Sequence, residues 1–220
     1  MSTFPGSPKL LKGGLVVLAP GGSSVRHVIS LQYNPDSLSR SYQIQGVGGE
    51  GGGERAQPFR LKGAAIESIK LDAEIDATDQ LEFPETNPVT TAVGIAPQIA
   101  ALETLVNPSS AELLATDADA RGGTLEILAP EAPLVVFVWS RNRVVPVRVT
   151  EFSVTEEAFD PELNPVRAKV SLGLRVLTVD DLGYAHRGGT LFLAYLQTRE
   201  ALARTVPGAT LASLGLSNLP

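Results

Sequence analysis

A glycine-rich stretch at residues 46–51, GVGGEG, formally matches the G-x-G-x-x-G pattern that binds the pyrophosphate of a dinucleotide. The pattern works between a strand and a helix, because the first turn of the helix presents backbone N–H groups to the phosphates. Here Gly52 and Gly53 follow, and we interpret the stretch as a flexible loop. The sequence also lacks a G-x-x-x-x-G-K-[ST] motif, so no nucleotide cofactor is predicted.

Four acidic residues, Asp72, Glu74, Asp76 and Asp79, lie close enough in sequence to suggest a calcium site. An EF-hand loop needs glycine at its sixth position and a bidentate glutamate at its twelfth, and this segment has neither. The first three acids share one side of an alternating segment. We therefore expect a solvated or interface-facing acidic stripe and no metal ligands.

The two histidines, His27 and His186, are the candidates for a Ser-His-Asp site. Neither lies beside a G-x-S-x-G segment or another nucleophile motif, so structural roles are favoured for both. The two carboxylates of a glycosidase are defined by their distance in space, so the presence of 24 acidic residues neither supports nor excludes such a pair. Trp139 lies in an apolar segment and is expected in the core. The sequence predicts a protein that is not an enzyme, without catalytic, cofactor-binding or metal-binding residues.

The composition is typical of a globular protein. The chain has 220 residues, of which 43% are hydrophobic and 19% charged, and no cysteine. Its net charge of -6 argues against nucleic-acid binding, which depends on clustered Lys and Arg. We expect no signal peptide at the start of the sequence, because Gly and Pro surround its short apolar run LVVLA. No run of about 18 apolar residues predicts a membrane helix, and we expect assembly in the cytoplasm.

The elements that would position these residues are mainly strands, and the segment LQYNPDSLSRSY, residues 31–42, contains a sharp corner. It begins as a strand, breaks at Asn34-Pro35-Asp36 and then resumes. Proline lacks an N–H group and holds the residue before it in an extended conformation. Two interpretations remain open: an ordinary turn, or a corner that directs the next segment towards a neighbouring subunit.

Strict alternation of apolar and polar residues predicts strands at 69–76 and 166–176. A slip in the alternation between Val149 and Phe152 predicts a β-bulge. Apolar residues at helical spacing predict one internal helix. The further predicted elements are strands near 25–33, 38–44, 124–128, 133–140 and 144–156, a helix from Ile95 to Val106, a short turn after Ser109 or Ser110, and a last helix over 190–205. We predict a mainly β (α+β) fold, an antiparallel sandwich or barrel with one packed helix and a C-terminal helix.

Ordered blocks of the sequence resemble the tube-protein domain of contractile injection systems, the phage-tail-like particles of bacteria. The blocks are LQYNPDSLSRSYQIQ, IESIKLDAEIDATDQLE, IAPQIAALETLVNP and the long segment from Pro133 to Leu177 that contains FDPELNPVRAKVSLGL. The resemblance covers residues 15–177. It implies a fold related to tail-tube subunits, with two packed β-sheets and a flanking helix.

The same resemblance implies a place in the particle. Within such particles, this domain type occurs in a baseplate protein that usually also carries a LysM module. Thirty residues follow Thr190, too few for such a module. We therefore expect an N-terminal extension (1–14), a tail-tube-like β domain (15–180) and a C-terminal helix and tail (181–220) without a complete LysM module. The tail is expected to dock on a neighbouring baseplate component.

The predicted function is that of a structural component, a ring-forming baseplate hub or tube-initiator adaptor that links the spike to the inner tube. The implied partners are copies of the chain in a ring, usually sixfold, the spike protein, the inner tube or a second tube-initiator protein, and other baseplate proteins. Nucleic acid and membrane insertion are not expected, and release of the particle from the cell stays open. The alternative is a ligand- or glycan-binding β-sandwich, against which an aromatic content of 5% counts.

Two charged stripes add a hypothesis about assembly. If their strands are neighbours, cross-strand pairs contribute roughly 0.2–1 kcal/mol each. If they meet across subunits, they set the register of the ring. A third possibility is two solvated faces, with pairs that contribute little. The residues are Asp72, Glu74 and Asp76 on one strand and Arg167, Lys169 and Arg175 on the other.

Overall fold

The computed structural model describes residues 11–19, 22, 24–46, 60–122 and 132–218. In these residues seven strands form one antiparallel sheet in the order β2-β1-β5-β6-β7-β4-β3. The strands are β1 (Gly14–Leu18), β2 (Val25–Ser30), β3 (Leu38–Gln43), β4 (Ile66–Asp76), β5 (Val135–Ser140), β6 (Arg143–Phe159) and β7 (Pro165–Val176). The helices are α1 (Thr78–Leu81), α2 (Pro88–Val93), α3 (Ala96–Glu103), α4 (Ser110–Arg121), α5 (Val179–Leu182) and α6 (Arg187–Ala203), followed by a 3₁₀ turn at Leu211–Leu214.

The paired strands β4 and β7 form the centre of one half of the sheet. Their apolar residues are buried at every second position, as the alternation predicts. Ile69 lies opposite Leu174, and Leu71 lies opposite Leu172. Full burial of an aliphatic side chain of this size contributes roughly 1.5–3 kcal/mol. The spacing of apolar residues therefore determines which face of these strands is covered.

Strand β6 joins the two halves of the sheet. The beginning of β6 pairs with β5, whereas the remainder pairs with β7. Its register shifts between Val149 and Glu151, which confirms the bulge predicted there. Phe137 from one half and Leu174 from the other lie in the same core cluster. The resemblance implied two packed sheets, and the structure has two halves of one continuous sheet around a shared core.

The mainly β, antiparallel fold is confirmed, and the helical part is richer than the sequence indicated. The segment predicted as one helix contains α3, and α1 and α2 precede it. Gly94 separates α2 from α3 with a φ of 59°, and a Cβ there would lie 2.1 Å from the carbonyl oxygen of Pro165. Pro88 and Pro97 lie in the first turns of α2 and α3, where the missing N–H group costs nothing.

Capping explains where two further helices begin. Ser109 and Glu112 form a reciprocal capping box at α4, which runs well beyond the short turn predicted there. His186 caps α6 by accepting a hydrogen bond from the Gly188 N–H. Helix α6 places Phe192 and Tyr195 in the core, whereas every residue of α4 is exposed. The predicted strand at 124–128 lies outside the described residues.

Candidate assembly surfaces

Strands β2 and β3 are the two edges of the sheet. Among the described residues each has one hydrogen-bonded neighbour, so half of its backbone N–H and C=O groups face away from the described strands. Val25 and Val28 on β2 are each 59% exposed, and Tyr42 on β3 is 40% exposed. Open backbone groups combined with exposed apolar side chains are what a second strand needs in order to pair.

The Asn-Pro-Asp corner holds the end of β2 in place. The Asn34 side chain accepts a hydrogen bond from the Gly13 N–H at 2.9 Å and donates one to the Leu11 carbonyl at 2.8 Å. The Gln32 side chain donates to the Asp76 carbonyl at 2.6 Å and accepts from the Asp76 N–H at 2.9 Å. These bonds support the intramolecular interpretation of the corner, and the chain continues from it into edge strand β3.

The two charged stripes lie on neighbouring strands of the same chain. Arg167 Nε and Asp76 Oδ2 are 2.7 Å apart. Lys169 lies opposite Glu74 in register, but its Nζ is 3.0 Å from Glu157 Oε1 on β6. Partial burial disfavours the charge of Asp76, yet hydrogen bonds from Thr78 and Arg167 outweigh this effect and lower the pKa of the carboxyl. Pairing within the chain accounts for these contacts.

A buried carboxylate connects β3, β4 and α6. The Glu67 side chain is 3% exposed, and its Oε1 lies 2.6 Å from Arg40 Nε. The Tyr195 hydroxyl donates to the same carboxylate at 3.1 Å, and Arg199 is 3.8 Å away. The Arg199 guanidinium also lies over the rings of Tyr42 and Tyr195. We call these five residues the Glu67 cluster.

Burial and hydrogen bonding within the Glu67 cluster shift the pKa values of Arg40 and Tyr195. Burial works against the charge of Arg40, but the hydrogen bond and the negative charge of Glu67 outweigh it and raise the pKa of Arg40. Burial and the Glu67 charge raise the pKa of Tyr195, which therefore stays a neutral donor. The sequence analysis missed this cluster. The signal was available, because Glu67 shares the inward parity of Ile69 and Leu71 on the same strand.

The hairpin between β6 and β7 carries exposed apolar residues at its turn. Phe159 is 51% exposed and Leu163 is 78% exposed. Asp160 Oδ1 accepts hydrogen bonds from the Glu162 and Asn164 N–H groups, which fixes the turn. The Asn164 side chain in turn donates to the Ala92 carbonyl at the end of α2. The hairpin therefore presents an ordered apolar tip.

The histidines, the tryptophan and the glycine-rich stretch that the sequence offered as candidates for chemistry lie at the following places in the fold. His27 is exposed on edge strand β2, and His186 is the helix cap described above. Trp139 stacks on Phe137 at a centroid distance of 5.9 Å and packs against the core. Gly46 makes an isolated bridge to Leu61, and the rest of the glycine-rich stretch lies outside the described residues.

In the described part of the chain, no group of three or more His, Cys, Asp or Glu could hold a metal ion. Nor does any described helix combine the length and hydropathy needed to cross a membrane.

In the described residues these features define a mainly β protein with two open sheet edges and an apolar hairpin tip. The chain belongs to the contractile injection system tube protein family, whose profile matches residues 19–181. It is accordingly a structural tube component of a phage-tail-like particle.

Among the solved structures with similar chains is the one described as "Tail of empty GTA particle computed with helical refinement, C6 symmetry". The two chains share 10% identity, the similar region covers 75% of this chain and 90% of that chain, and the TM-score is 0.30. A comparison with curated proteins finds no match.

Proposed function

We propose that copies of this chain form a closed ring through their β2 and β3 edges. The observation that supports this most strongly is that, in the part of the chain that the structure describes, β2 and β3 end one sheet with their outer edges unpaired. Apolar side chains are exposed on both edges. A subunit with two different adhesive edges makes heterologous contacts, and such contacts generate rings when the rotation between subunits closes.

Strand direction determines how the edges meet. All six neighbouring pairs in the seven-stranded sheet are antiparallel, so β2 and β3 run in the same direction. Successive subunits related by rotation would bring β3 of one copy beside β2 of the next as a parallel pair. An antiparallel β2–β2 pair would instead close a twofold dimer. A ring therefore requires that β3 of one copy pair with β2 of the next copy.

The proposed place of the ring is the junction between spike and inner tube, as a baseplate hub or tube-initiator adaptor. Its partners there are the spike protein, the inner tube or a second initiator protein, and further baseplate proteins. The division into an extension (1–14), a tube-like domain (15–180) and a C-terminal part (181–220) belongs to the same proposal. The proposal also includes sixfold symmetry of the ring, assembly in the cytoplasm and the absence of enzymatic activity.

Electron microscopy of the purified chain and of intact particles tests the ring. Val28→Lys introduces a charge on the β2 edge and should abolish rings while the monomer stays folded. Val89→Lys is the matched control, because Val89 on α2 is 61% exposed and Val28 is 59% exposed. Rings that form equally well with both variants would remove the β2 edge from the interface. Particles that lack the chain, or carry it elsewhere than at the end of the tube, contradict the adaptor role.

A further inference from the structure

A groove of about 290 Å³ lies between edge strand β2 and helix α3. Its lining is mostly apolar and includes Val28, Leu31, Ile75, Pro97, Ala101 and Leu102. Gln98 also lines it, and the Oε1 atom of Gln98 is buried without a hydrogen-bond partner among the described residues. Buried acceptors normally bond to a protein donor or an ordered water, so this oxygen is available to accept a hydrogen bond from a segment seated in the groove.

The segment that follows α6 matches this groove in chemistry. Residues 205–218, TVPGATLASLGLSN, contain no charged side chain although 19% of the whole chain is charged. Every residue of the segment is exposed, including Leu211, Leu214 and Leu216. An uncharged segment with exposed leucines can fill an apolar groove, and its Ser, Thr and Asn side chains can donate to an amide oxygen.

The two features lie apart on the molecule, because the segment leaves beside β3 whereas the groove is lined by β2, α3 and the far end of β4. Leu202 and Val206 line a second groove together with Arg40 of β3, so the segment leaves the molecule beside β3. The Glu67 cluster holds α6 in this position, because Tyr195 and Arg199 bind the β4 carboxylate. The apolar groove instead opens at β2. From Glu67 to Glu74, which lines that groove, β4 runs seven residues, or about 23 Å.

We propose that residues 205–218 of one copy occupy the groove between β2 and α3 of the next copy. The inference rests on the proposed ring, in which β3 of one subunit lies beside β2 of its neighbour. That junction brings the segment leaving at β3 next to the groove opening at β2. The segment then acts as a strap that links successive subunits.

Cysteine crosslinking tests this directly, because the natural sequence has no cysteine. Chains carrying Ala101→Cys in the groove are mixed with differently tagged chains carrying Leu214→Cys and oxidised mildly. A disulfide requires Cα atoms within about 7 Å, so a linked heterodimer reports seating of the segment. Ala118→Cys on exposed helix α4 replaces Ala101→Cys in the control mixture. We expect several-fold more heterodimer than in the control.

A chain carrying both Ala101→Cys and Leu214→Cys distinguishes a neighbour from the chain itself. Linked oligomers are expected, and a product linked only within single chains would overturn the proposal. A yield equal to the Ala118→Cys control would overturn it as well. If rings still form in that case, the ring stands without the strap. Specific linkage without rings would support the strap and contradict the ring.

A binding measurement gives a second readout that does not depend on assembly. A labelled peptide of residues 205–218 is titrated into the chain carrying Leu211→Ser, Leu214→Ser and Leu216→Ser, and fluorescence anisotropy is recorded. Adding Ala101→Glu should weaken binding roughly tenfold or more, because the new charge would be buried. Adding Ala118→Glu should leave it unchanged. Equal binding by both variants, or no saturable binding, would overturn the proposal.

Discussion

The buried carboxylate of Glu67 provides a sharp test of how the last helix is held on the sheet. Glu67→Ala removes the ion pair with Arg40 at 2.6 Å and the hydrogen bond from the Tyr195 hydroxyl at 3.1 Å. Nothing in the shortened side chain can replace either contact. The variant leaves the Arg40 guanidinium, in a side chain that is 24% exposed, without its counter-ion.

The magnitude follows from this burial. Removing one partner of a fully buried ion pair costs about 3–5 kcal/mol, because the remaining charge stays desolvated. Arg40 keeps some access to water, and we therefore expect a loss of about 2–4 kcal/mol in the free energy of unfolding. For a chain of this length, that corresponds to a decrease in Tm of about 4–16 °C.

Thermal and urea unfolding followed by circular dichroism measures the effect. Glu200→Ala on the exposed face of α6 is the control and should change the free energy of unfolding by less than about 0.5 kcal/mol. The pair Glu67→Leu and Arg40→Met removes both charges and should recover most of the lost stability, since no unpaired buried charge remains. A loss with Glu67→Ala no larger than the control, or strictly additive losses in the double variant, would refute the buried ion-pair argument.

Three further predictions concern other contacts. Gly94→Ala should lower the free energy of unfolding by about 1–3 kcal/mol in denaturant titrations, because its φ is 59° and the new Cβ would meet the Pro165 carbonyl; an unchanged midpoint would contradict the close approach. Burial disfavours the charge of Asp181, but hydrogen bonds from Thr178 and Arg175 outweigh it and lower its pKa from the ordinary value of 3.8. The charged Asp181 carboxylate therefore stabilises the fold above pH 3.8, and this stabilisation is lost as the pH falls through the folded-state pKa. Asp181→Asn should accordingly flatten the acid side of a plot of unfolding free energy against pH. A variant curve that runs parallel to that of the unmodified protein would contradict this role of Asp181. Arg167→Ala removes an ion pair at the protein surface and should leave the midpoint of chemical denaturation almost unchanged, whereas loss of folding would show that the pair is structurally essential.

Several elements could be predicted from the sequence because their determinants are local. Alternation at period two identified β4 and β7, and a slip in it located the β6 bulge. Ser109 marked the start of α4 through its capping preference. The corner after Tyr33 followed from the restricted backbone of an Asn-Pro pair. These features depend on a few neighbouring residues and therefore leave a pattern in the chain.

The candidate surfaces were less accessible to sequence reasoning. The charged stripes on β4 and β7 were recognised, but whether they meet within or between chains depends on strand order. Glu67 shares the inward parity of its strand, yet its partners Arg40 and Tyr195 come from segments 27 and 128 residues away. No local pattern connects residues so far apart.

The sequence by itself determined that this protein is a mainly β, cysteine-free member of a tube-protein type, because composition, alternation and ordered motifs are properties of the chain. Tertiary structure alone decided that β2 and β3 become the edges, that one continuous sheet encloses the core and that α6 is held to β3 and β4. The physical reason is that edges, grooves and buried ion pairs arise from long-range contacts. The complete order of strands in the sheet determines which backbone groups remain unpaired and available to another subunit.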